Sequence, residues 1–151
     1  MIVWVDGDAC PRPVREIVAK RCRREGIRAI FVADRDVSLS DYPEAEMRIV
    51  PENAEAADQE ILESVEPGDV AVTRDILLAE ALLGKGAEVI SDRGERFDAA
   101  SISERRSLRN FSYDLRSTGL ARAGPRSYGR KEIERFANGF DRVLVSLLKN
   151  E

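Results

Sequence analysis

The sequence predicts an α/β fold in three layers, in which a mainly parallel sheet of about five strands carries helices on both faces. Two observations predict it. Short runs of β-branched and other apolar residues alternate along the chain with longer segments whose apolar residues recur every three or four positions. The alternation continues to residue 90 without an internal repeat, and 151 residues is the length of a single domain.

Each predicted strand is a short apolar run closed by turn residues, which is typical of strands buried on both faces of a parallel sheet. The first is the clearest, because the run Ile-Val-Trp-Val stops abruptly at Asp6. The third is the weakest. The predicted strands span Ile2–Val5, Ala29–Ala33, Met47–Val50, Val70–Thr73 and Ala87–Ile90.

The predicted helices lie between and after these strands. Pro13 suits the first turn of a helix, and Gly26 ends that helix. After the fifth strand the pattern is helical only, with a Gly- and Pro-containing connection at Gly119–Gly129. The remaining predicted helices span Ala54–Val65, Ile76–Leu83, Ser101–Ser117 and Lys131–Leu148.

The chain contains no histidine, which excludes several kinds of site. Ser-His-Asp and Cys-His catalysis need imidazole, as do zinc sites built on it. Cys10 and Cys22 are too few for a disulfide framework and indicate reduced thiols in a cytosolic protein. The chain starts directly with a strand rather than a signal peptide, and no apolar run reaches the ~18 residues of a membrane span. We therefore expect a soluble, cytoplasmic protein.

Charge is distributed unevenly along the chain. Residues 1–104 contain 13 Lys and Arg against 23 Asp and Glu, whereas residues 105–131 contain eight Lys and Arg against Asp114 alone. The basic helical segment predicted at residues 101–131 either contacts a polyanion or folds back onto the acidic body. The charge pattern is compatible with both.

Acidic residues follow three of the predicted strands. Asp6 and Asp8 end the first strand, Asp75 follows the fourth and Asp92 follows the fifth. The carboxyl ends of parallel strands share one edge of the sheet, where open α/β folds bind their ligands. A single Asp there commonly caps the next helix. Carboxylates at three strand ends predict a shared acidic site instead.

Asp58 is the most informative acid outside the strand ends. In the predicted helix it lies four residues after Ala54 and three before Ile61, on the apolar stripe. A carboxylate facing the core needs a metal ion, a cationic partner or an edge position that reaches water. We favour the metal, because the other acids are predicted at the same end of the sheet. Glu55, on an adjoining face, would add a second carboxylate.

Together these acids predict a Mg²⁺ or Mn²⁺ site, because a divalent cation relieves the repulsion among convergent carboxylates. The predicted metal ligands are Asp6, Asp8, Glu55, Asp58, Asp75 and Asp92, of which Asp6, Asp8, Asp58 and Asp75 are the predicted catalytic residues. Arginine suits bidentate contacts with phosphate. The predicted nucleic-acid contacts are Arg74, Arg93, Arg105, Arg106 and Arg109.

Five short segments carry a family resemblance. They are Val-Asp-Gly-Asp-Ala-Cys-Pro at 5–11, Ala-Asp-Gln-Glu-Ile at 57–61, Gly-Asp-Val-Ala-Val-Thr-Arg-Asp-Ile at 68–76, Arg-Gly-Glu-Arg-Phe at 93–97 and Arg-Phe-Ala-Asn at 135–138. In this order they resemble the YaiI/YqxD family, bacterial proteins of unassigned function in the PIN-like nuclease superfamily. The resemblance implies one PIN-like domain over residues 1–151 and a metal site at Asp6, Asp8, Asp58 and Asp75. It does not extend to Asp92, since the family usually has Asn-Pro where this chain has Ser91-Asp92.

These features predict a metal-dependent nuclease that hydrolyses phosphodiesters, of RNA rather than DNA. One alternative is a phosphomonoesterase of the haloacid dehalogenase type, with Asp6 as nucleophile and Thr73 and Lys85 as later motif members. Another is a nucleic-acid-binding module without catalysis. No membrane partner is expected, and a homo-oligomer is compatible with each hypothesis.

Overall fold

The protein is built around one six-stranded sheet. The structure, a computed structural model, describes residues 1–53, 55–104 and 128–149. Its strands are β1 (Ile2–Asp6), β2 (Arg28–Ala33), β3 (Glu46–Ile49), β4 (Val70–Val72), β5 (Glu88–Ile90) and β6 (Arg96–Phe97). They are ordered β3-β2-β1-β4-β5-β6, and only the pairing of β6 with β5 is antiparallel.

Helices cover both faces of the sheet and complete the predicted three-layer α/β architecture. They are α1 (Arg12–Glu25), α2 (Ala56–Ser64), α3 (Ile76–Gly84) and α4 (Arg130–Lys149). Helices α1 and α4 pack on one face, and α2 and α3 pack on the other. In the described ranges, no helix combines the length and apolar character needed to cross a membrane.

Side-chain alternation along the central strands determines which face each terminal residue points to. In β1, Val3 and Val5 belong to the core under α1 and α4, whereas Trp4 belongs to the core under α2 and α3. Asp6, two residues after Trp4, therefore lies on the α2–α3 face. Thr73 lies on that same face, because it follows Ala71 of the same core by two residues.

Asp69 fixes the amino end of β1 against the start of β4. Its carboxylate accepts hydrogen bonds from the backbone N–H of Ile2 at 3.0 Å, the indole N–H of Trp4 at 3.1 Å and the backbone N–H of Glu66 at 3.0 Å. The side chain is buried, so these three bonds satisfy a charge that would otherwise be costly. The register of β1 on β4 in turn sets Asp6 beside Thr73.

Two glycines allow α4 to contact the β5–β6 turn through its backbone. A Cβ atom on Gly139 would lie 2.3 Å from the carbonyl oxygen of Gly94, and one on Gly94 would lie 2.1 Å from that of Arg135. Gly94 also has a φ of +84°, which favours glycine. Beside this contact, the rings of Phe136 and Phe140 stack at 5.5 Å within the core.

The predicted strands and helices that fall in the described ranges agree with the structure to within two residues, and β6 is the strand that the sequence pattern missed. It has two residues, which is too short to produce a periodicity. Residues 99–104 are helical, which includes the start of the helix predicted at Ser101–Ser117. The rest of that helix, and the predicted connection as far as residue 127, lie outside the described residues.

Candidate functional site

Acidic residues follow all five parallel strands at one edge of the sheet. In sheet order they are Glu52 after β3, Asp34 after β2, Asp6 and Asp8 at β1, Asp75 after β4 and Asp92 after β5. The sequence-based prediction omitted Asp34 and Glu52. Asp34 had a usable signal, because Ala33-Asp34 repeats the pattern of an apolar run followed by an acid that identified Asp6.

Asp6 is a buried carboxylate, with 4% of its surface exposed. Burial is the main reason that its pKa is raised, and the negative charges of Asp8 and Asp75 raise it further. The hydroxyl of Thr73 opposes these effects by donating a hydrogen bond to Oδ2 of Asp6 at 3.1 Å. Asp6 is thus held in one orientation at the carboxyl edge.

Thr73 also joins Asp6 to Asp75. Its Oγ1 accepts a hydrogen bond from the backbone N–H of Asp75 at 3.1 Å. Asp75 in turn caps α3, since its Oδ1 accepts from the N–H groups of Leu77 at 2.9 Å and Leu78 at 3.1 Å. The helix-cap explanation of Asp75 is therefore correct, and it coexists with a position beside Asp6.

Asp58 lies on α2, where the charges of Asp6 and Asp75 act on it. It lies half-buried on α2, next to the buried Ala57 and three residues before the buried Ile61, as the predicted stripe required. Its pKa is raised to about 6, first by burial and then by the charges of Asp6 and Asp75 and a hydrogen bond with Asp75. Asp58 therefore carries a proton at mildly acidic pH.

We call Asp6, Asp58 and Asp75 the carboxylate group. Two of its members, Asp58 and Asp75, line a cleft of about 460 Å³ between α2 and α3. Glu55 and the exposed Leu77 line the same cleft. Within residues 1–53, 55–104 and 128–149, no set of three or more acidic or cysteine side chains is arranged to hold a metal ion as it stands.

Asp8 acts on Asp6 through its charge, but its carboxylate is bound by the loop after β2. Both of its carboxylate oxygens accept from the backbone N–H of Asp34, at 3.1 and 3.2 Å. Burial is the main reason that the pKa of Asp8 is raised, although the hydrogen bond from the N–H of Asp34 lowers it. Asp8 lines a second cleft, of about 410 Å³, with Asp34, Arg35, Glu52 and Asn53. The structure thus brings Asp6, Asp58 and Asp75 together and places Asp8 at their edge.

Asp92 lies on the opposite face of the sheet. It follows Ile90 by two residues, and Ile90 belongs to the core under α1 and α4. The buried carboxylate lies 3.4 Å from the guanidinium of Arg74, and the backbone carbonyl accepts a hydrogen bond from the Tyr128 hydroxyl at 2.6 Å. The contacts of Asp92 are therefore with Arg74 and Tyr128 rather than with Asp58 or Asp75.

The predicted phosphate-binding arginines have different surroundings. Arg74 has 59% of its side chain exposed and donates to the carbonyl of Ala9 in the loop after β1. Arg93 is less accessible, because it pairs with Glu132 at 3.5 Å and lies 5.6 Å from the ring centre of Tyr128. Arg105, Arg106 and Arg109 lie outside the described residues.

Cys10 is a packed thiol in this region. It is buried, and its Sγ lies 3.7 Å from the carbonyl oxygen of Val72, which accepts a hydrogen bond from it. Burial raises its pKa well above the ordinary value, and the charges of Asp6 and Asp92 add to this effect. Cys10 is a free cysteine that packs as a neutral thiol.

Comparisons with known proteins identify the family. Residues 4–146 match the family described as "Uncharacterized BCR, YaiI/YqxD family". A UPF0178 protein of Syntrophobacter fumaroxidans is 42% identical over 149 residues, which cover 99% of this chain and 97% of the relative. The UPF0178 protein of Myxococcus xanthus is 40% identical over 151 residues, which cover 100% of this chain and 99% of the relative.

A third relative and one solved structure extend the comparison. The UPF0178 protein of Treponema pallidum is 42% identical over 149 residues, covering 99% of this chain and 84% of the relative. The crystal structure of Rae1 (YacP) from Bacillus subtilis covers 100% of both chains at 17% identity, with a TM-score of 0.45 that is too low to support an argument. The match over residues 4–146 and the full-length relatives show that this chain belongs to the YaiI/YqxD family.

Proposed function

We propose that this protein is a divalent-metal-dependent phosphodiesterase of the nuclease type, acting on RNA. The observation that carries the proposal is that Thr73 joins Asp6 to Asp75, while Asp58 and Asp75 line one cleft. Burial and mutual repulsion make this group unfavourable on its own, as the raised pKa of Asp58 indicates. A group that costs stability and lies in a cleft is typical of a functional site.

The chemistry of the donors fits Mg²⁺ or Mn²⁺, which prefer carboxylate oxygens. Asp6, Asp58 and Asp75 would hold the ion, with Glu55 at the rim of the cleft. A divalent cation there would supply positive charge for a phosphodiester and lower the pKa of a water molecule. In the cation-free protein a proton on Asp58 reduces the same repulsion, so cation and proton compete for the group.

The surrounding residues orient the proposed ligands. Thr73 donates to Oδ2 of Asp6, so the orientation of that carboxylate is set before any ligand binds. Both capping bonds of Asp75 end on Oδ1, so Oδ2 can serve as a ligand without loss of the helix cap. The sheet and α3 thereby preorganise two of the three carboxylates.

Arg74 supplies the phosphate-binding side of the proposed site. It directly precedes Asp75, is more than half exposed, and is anchored through Ala9 and Asp92. We assign Asp92 to holding this guanidinium in place, because its carboxylate contacts Arg74. Arg105, Arg106 and Arg109 stay proposed RNA contacts on the charge of their segment.

The phosphomonoesterase hypothesis is less well supported by the geometry. It needs Lys85 near Asp6, but Lys85 follows the carboxyl end of α3 and precedes β5, at the amino edge of the sheet. Its ammonium donates to the carbonyl of Leu62 there. Asp6 is at the opposite, carboxyl edge, so Thr73 lies beside Asp6 but Lys85 does not.

An RNA cleavage assay tests the proposal. Purified protein is incubated with end-labelled single-stranded RNA and Mn²⁺ or Mg²⁺, and products are resolved on a denaturing gel. We expect cleavage that EDTA abolishes and that Asp58→Asn and Asp75→Asn each slow by at least about 100-fold.

Asp98→Asn is the matched control for these variants. Asp98 accepts from the N–H of Ser101 at 2.7 Å, much as Asp75 caps α3, but it follows β6 at the amino edge of the sheet. This variant should cleave RNA like the wild type. Absence of cleavage with either metal, together with unchanged Mn²⁺ affinity in Asp58→Asn, would contradict the proposal. RNA binding without cleavage, unaffected by Asp6→Asn, would favour the non-catalytic module.

A further inference from the structure

The cleft between α2 and α3 changes character along its length. Each of these helices connects two parallel strands, so both begin at the carboxyl edge of the sheet and end at the amino edge. The acids that line the cleft, Glu55, Asp58 and Asp75, lie next to or within one turn of the helix starts. Leu62 and Ala81 line it one turn or more further along. The cleft is therefore acidic at the carboxyl edge and apolar beyond it.

Leu77 presents an apolar side chain to solvent in this cleft. It lines the cleft, and 52% of its surface is exposed. Its backbone N–H donates to Oδ1 of Asp75 at 2.9 Å, so Leu77 lies within one turn of the carboxylate group. The next residue, Leu78, is buried in the core under α2 and α3 and lines the same cleft. Leu77 and Leu78 thus form an apolar surface beside the proposed metal ligands.

The charge of the cleft indicates what this apolar part can accept. None of the described residues that line it is a lysine or an arginine. Apart from the three acids, its lining consists of Gln59 and four apolar side chains. A second phosphate would meet no positive charge there, whereas an uncharged and largely apolar group would be favoured. The volume of about 460 Å³ lies within the range of about 300–1,000 Å³ that is typical of small-molecule sites.

A nucleotide carries both of the groups that the two parts of the cleft would bind. Its phosphate can meet a cation held by the carboxylate group, and its base has flat faces that pack against apolar side chains. One ribose joins the two, so a base is always close to the phosphate. Proteins that bind single-stranded nucleic acid hold unstacked bases on such surfaces. A lipid chain or an apolar protein side chain would fill only the apolar part.

We propose that the apolar part of this cleft, around Leu77, binds the base of the nucleotide whose phosphate lies at the carboxylate group. The inference rests on the proposed function for the position of that phosphate. It makes Leu77 a substrate-binding residue. The side chain of Leu77 has no group that transfers a proton or binds a metal ion, so it contributes to binding rather than to the chemical step.

Ligand titrations compare a nucleotide with the same molecule without its base. Each of the four nucleoside 5′-monophosphates, and ribose 5-phosphate, is added in Mg²⁺ while the leucine methyl groups are followed by NMR. At least one monophosphate should bind about 5-fold more tightly than ribose 5-phosphate, with shifts at the Leu77 methyl groups. The inference is overturned if none of the four binds more tightly than ribose 5-phosphate.

Variants of Leu77 test whether this residue supplies the contact. Leu77→Ala should reduce the advantage of the base to less than about 2-fold and leave the affinity for ribose 5-phosphate unchanged. Leu77→Met should keep the advantage, because methionine has a similar apolar volume. Val145→Ala is the matched control, because Val145 is an exposed apolar residue on α4, which packs on the opposite face of the sheet. It should match the wild type.

Neither alanine substitution removes a buried side chain, so both variants should fold. Equal affinities of Leu77→Ala and Val145→Ala for every ligand would overturn the inference.

Cleavage kinetics separate this inference from the proposed function. With end-labelled single-stranded RNA, Leu77→Ala should raise KM by about 3–10-fold and change kcat by less than about 2-fold. Base-dependent binding at Leu77, with no cleavage in Mn²⁺ or Mg²⁺, would support the base contact and contradict the nuclease. Cleavage by a Leu77→Ala variant with the KM of the wild type would support the nuclease and contradict the base contact.

Discussion

Replacing Asp58 with asparagine should stabilise the folded protein at neutral pH while removing a proposed metal ligand. In the folded protein the pKa of Asp58 is about 6, compared with an ordinary value of 3.8, because of burial and the charges of Asp6 and Asp75. Asparagine has nearly the shape of the protonated carboxyl group and carries no charge. Its amide can donate to Asp75 as the protonated acid does, so the repulsion is removed with little change in packing.

The sign and size of the effect follow from the two pKa values. Between pH 3.8 and about 6 the folded protein holds a proton that the unfolded chain has released. The stability from this group is therefore complete below pH 3.8 and is lost as the pH rises through about 6. The full shift corresponds to about 3 kcal/mol. Because Asp58 is only half-buried, solvent screening reduces this to about 1–2 kcal/mol.

Thermal unfolding followed by circular dichroism measures the difference. In EDTA at pH 7.5, Asp58→Asn should unfold about 3–6 °C above the wild type, and the gap should nearly close at pH 4. A saturating Mn²⁺ concentration should reverse the order, because ligand at 100 times its Kd stabilises only a binding-competent protein, by about 2.7 kcal/mol.

Asp98→Asn provides a control of opposite sign. The N–H of Ser101 lowers the pKa of Asp98, so the stability from Asp98 is present above its ordinary pKa and is lost as the pH falls. Asp98→Asn should therefore give no increase in Tm at pH 7.5. An Asp58→Asn variant that is less stable than wild type at pH 7.5, or whose gain persists at pH 4, would refute the repulsion argument.

Substitutions at Gly139, Asp75 and Asp69 test the scaffold. Gly139→Ala should lower the free energy of unfolding in urea by about 2–3 kcal/mol, because the new Cβ would overlap the backbone of Gly94. In the control Gly84→Ala, the new Cβ meets no atom within 4 Å, so stability should not change. Asp75→Ala should lower the free energy of unfolding by about 1 kcal/mol, because α3 loses its cap. Asp75→Asn should keep the cap but weaken Mn²⁺ binding. Equal stability of these two variants would contradict the capping role. Asp69→Ala leaves three donors unpaired and should lower the free energy of unfolding by about 3 kcal/mol, with Asp69→Asn between it and the wild type. Wild-type stability in Asp69→Ala would show that these bonds do not hold β1.

Much of the fold is predictable because its signals are local. The apolar run before Asp6 is typical of a buried strand. Asp58 stands out because it is an acid on the apolar stripe of α2, where a carboxylate needs a partner. The edge shared by Asp6 and Asp75 follows from parallel strand geometry alone. Strand β6 is different, because two residues paired antiparallel to β5 depend on the turn at Gly94 and on α4 behind it.

The fine structure of the site was less predictable, because it depends on which face each residue occupies. Asp92 follows its strand much as Asp75 does, but it contacts Arg74 and Tyr128 beside the core under α1 and α4. Asp8 lies beyond β1, where no alternation applies, and the N–H of Asp34 determines its direction. Thr73 joins Asp6 and Asp75 through a hydroxyl that no sequence pattern marks.

A crystal structure of the protein soaked in Mn²⁺, with anomalous diffraction data, tests the central claim most directly. We predict an anomalous peak about 2.1 Å from carboxylate oxygens of Asp6, Asp58 and Asp75. The peak should be absent from Asp58→Asn crystals treated in the same way. A peak in the cleft of Asp8, Asp34 and Glu52 alone, or no peak at either place, would contradict the assignment of the carboxylate group as the metal centre.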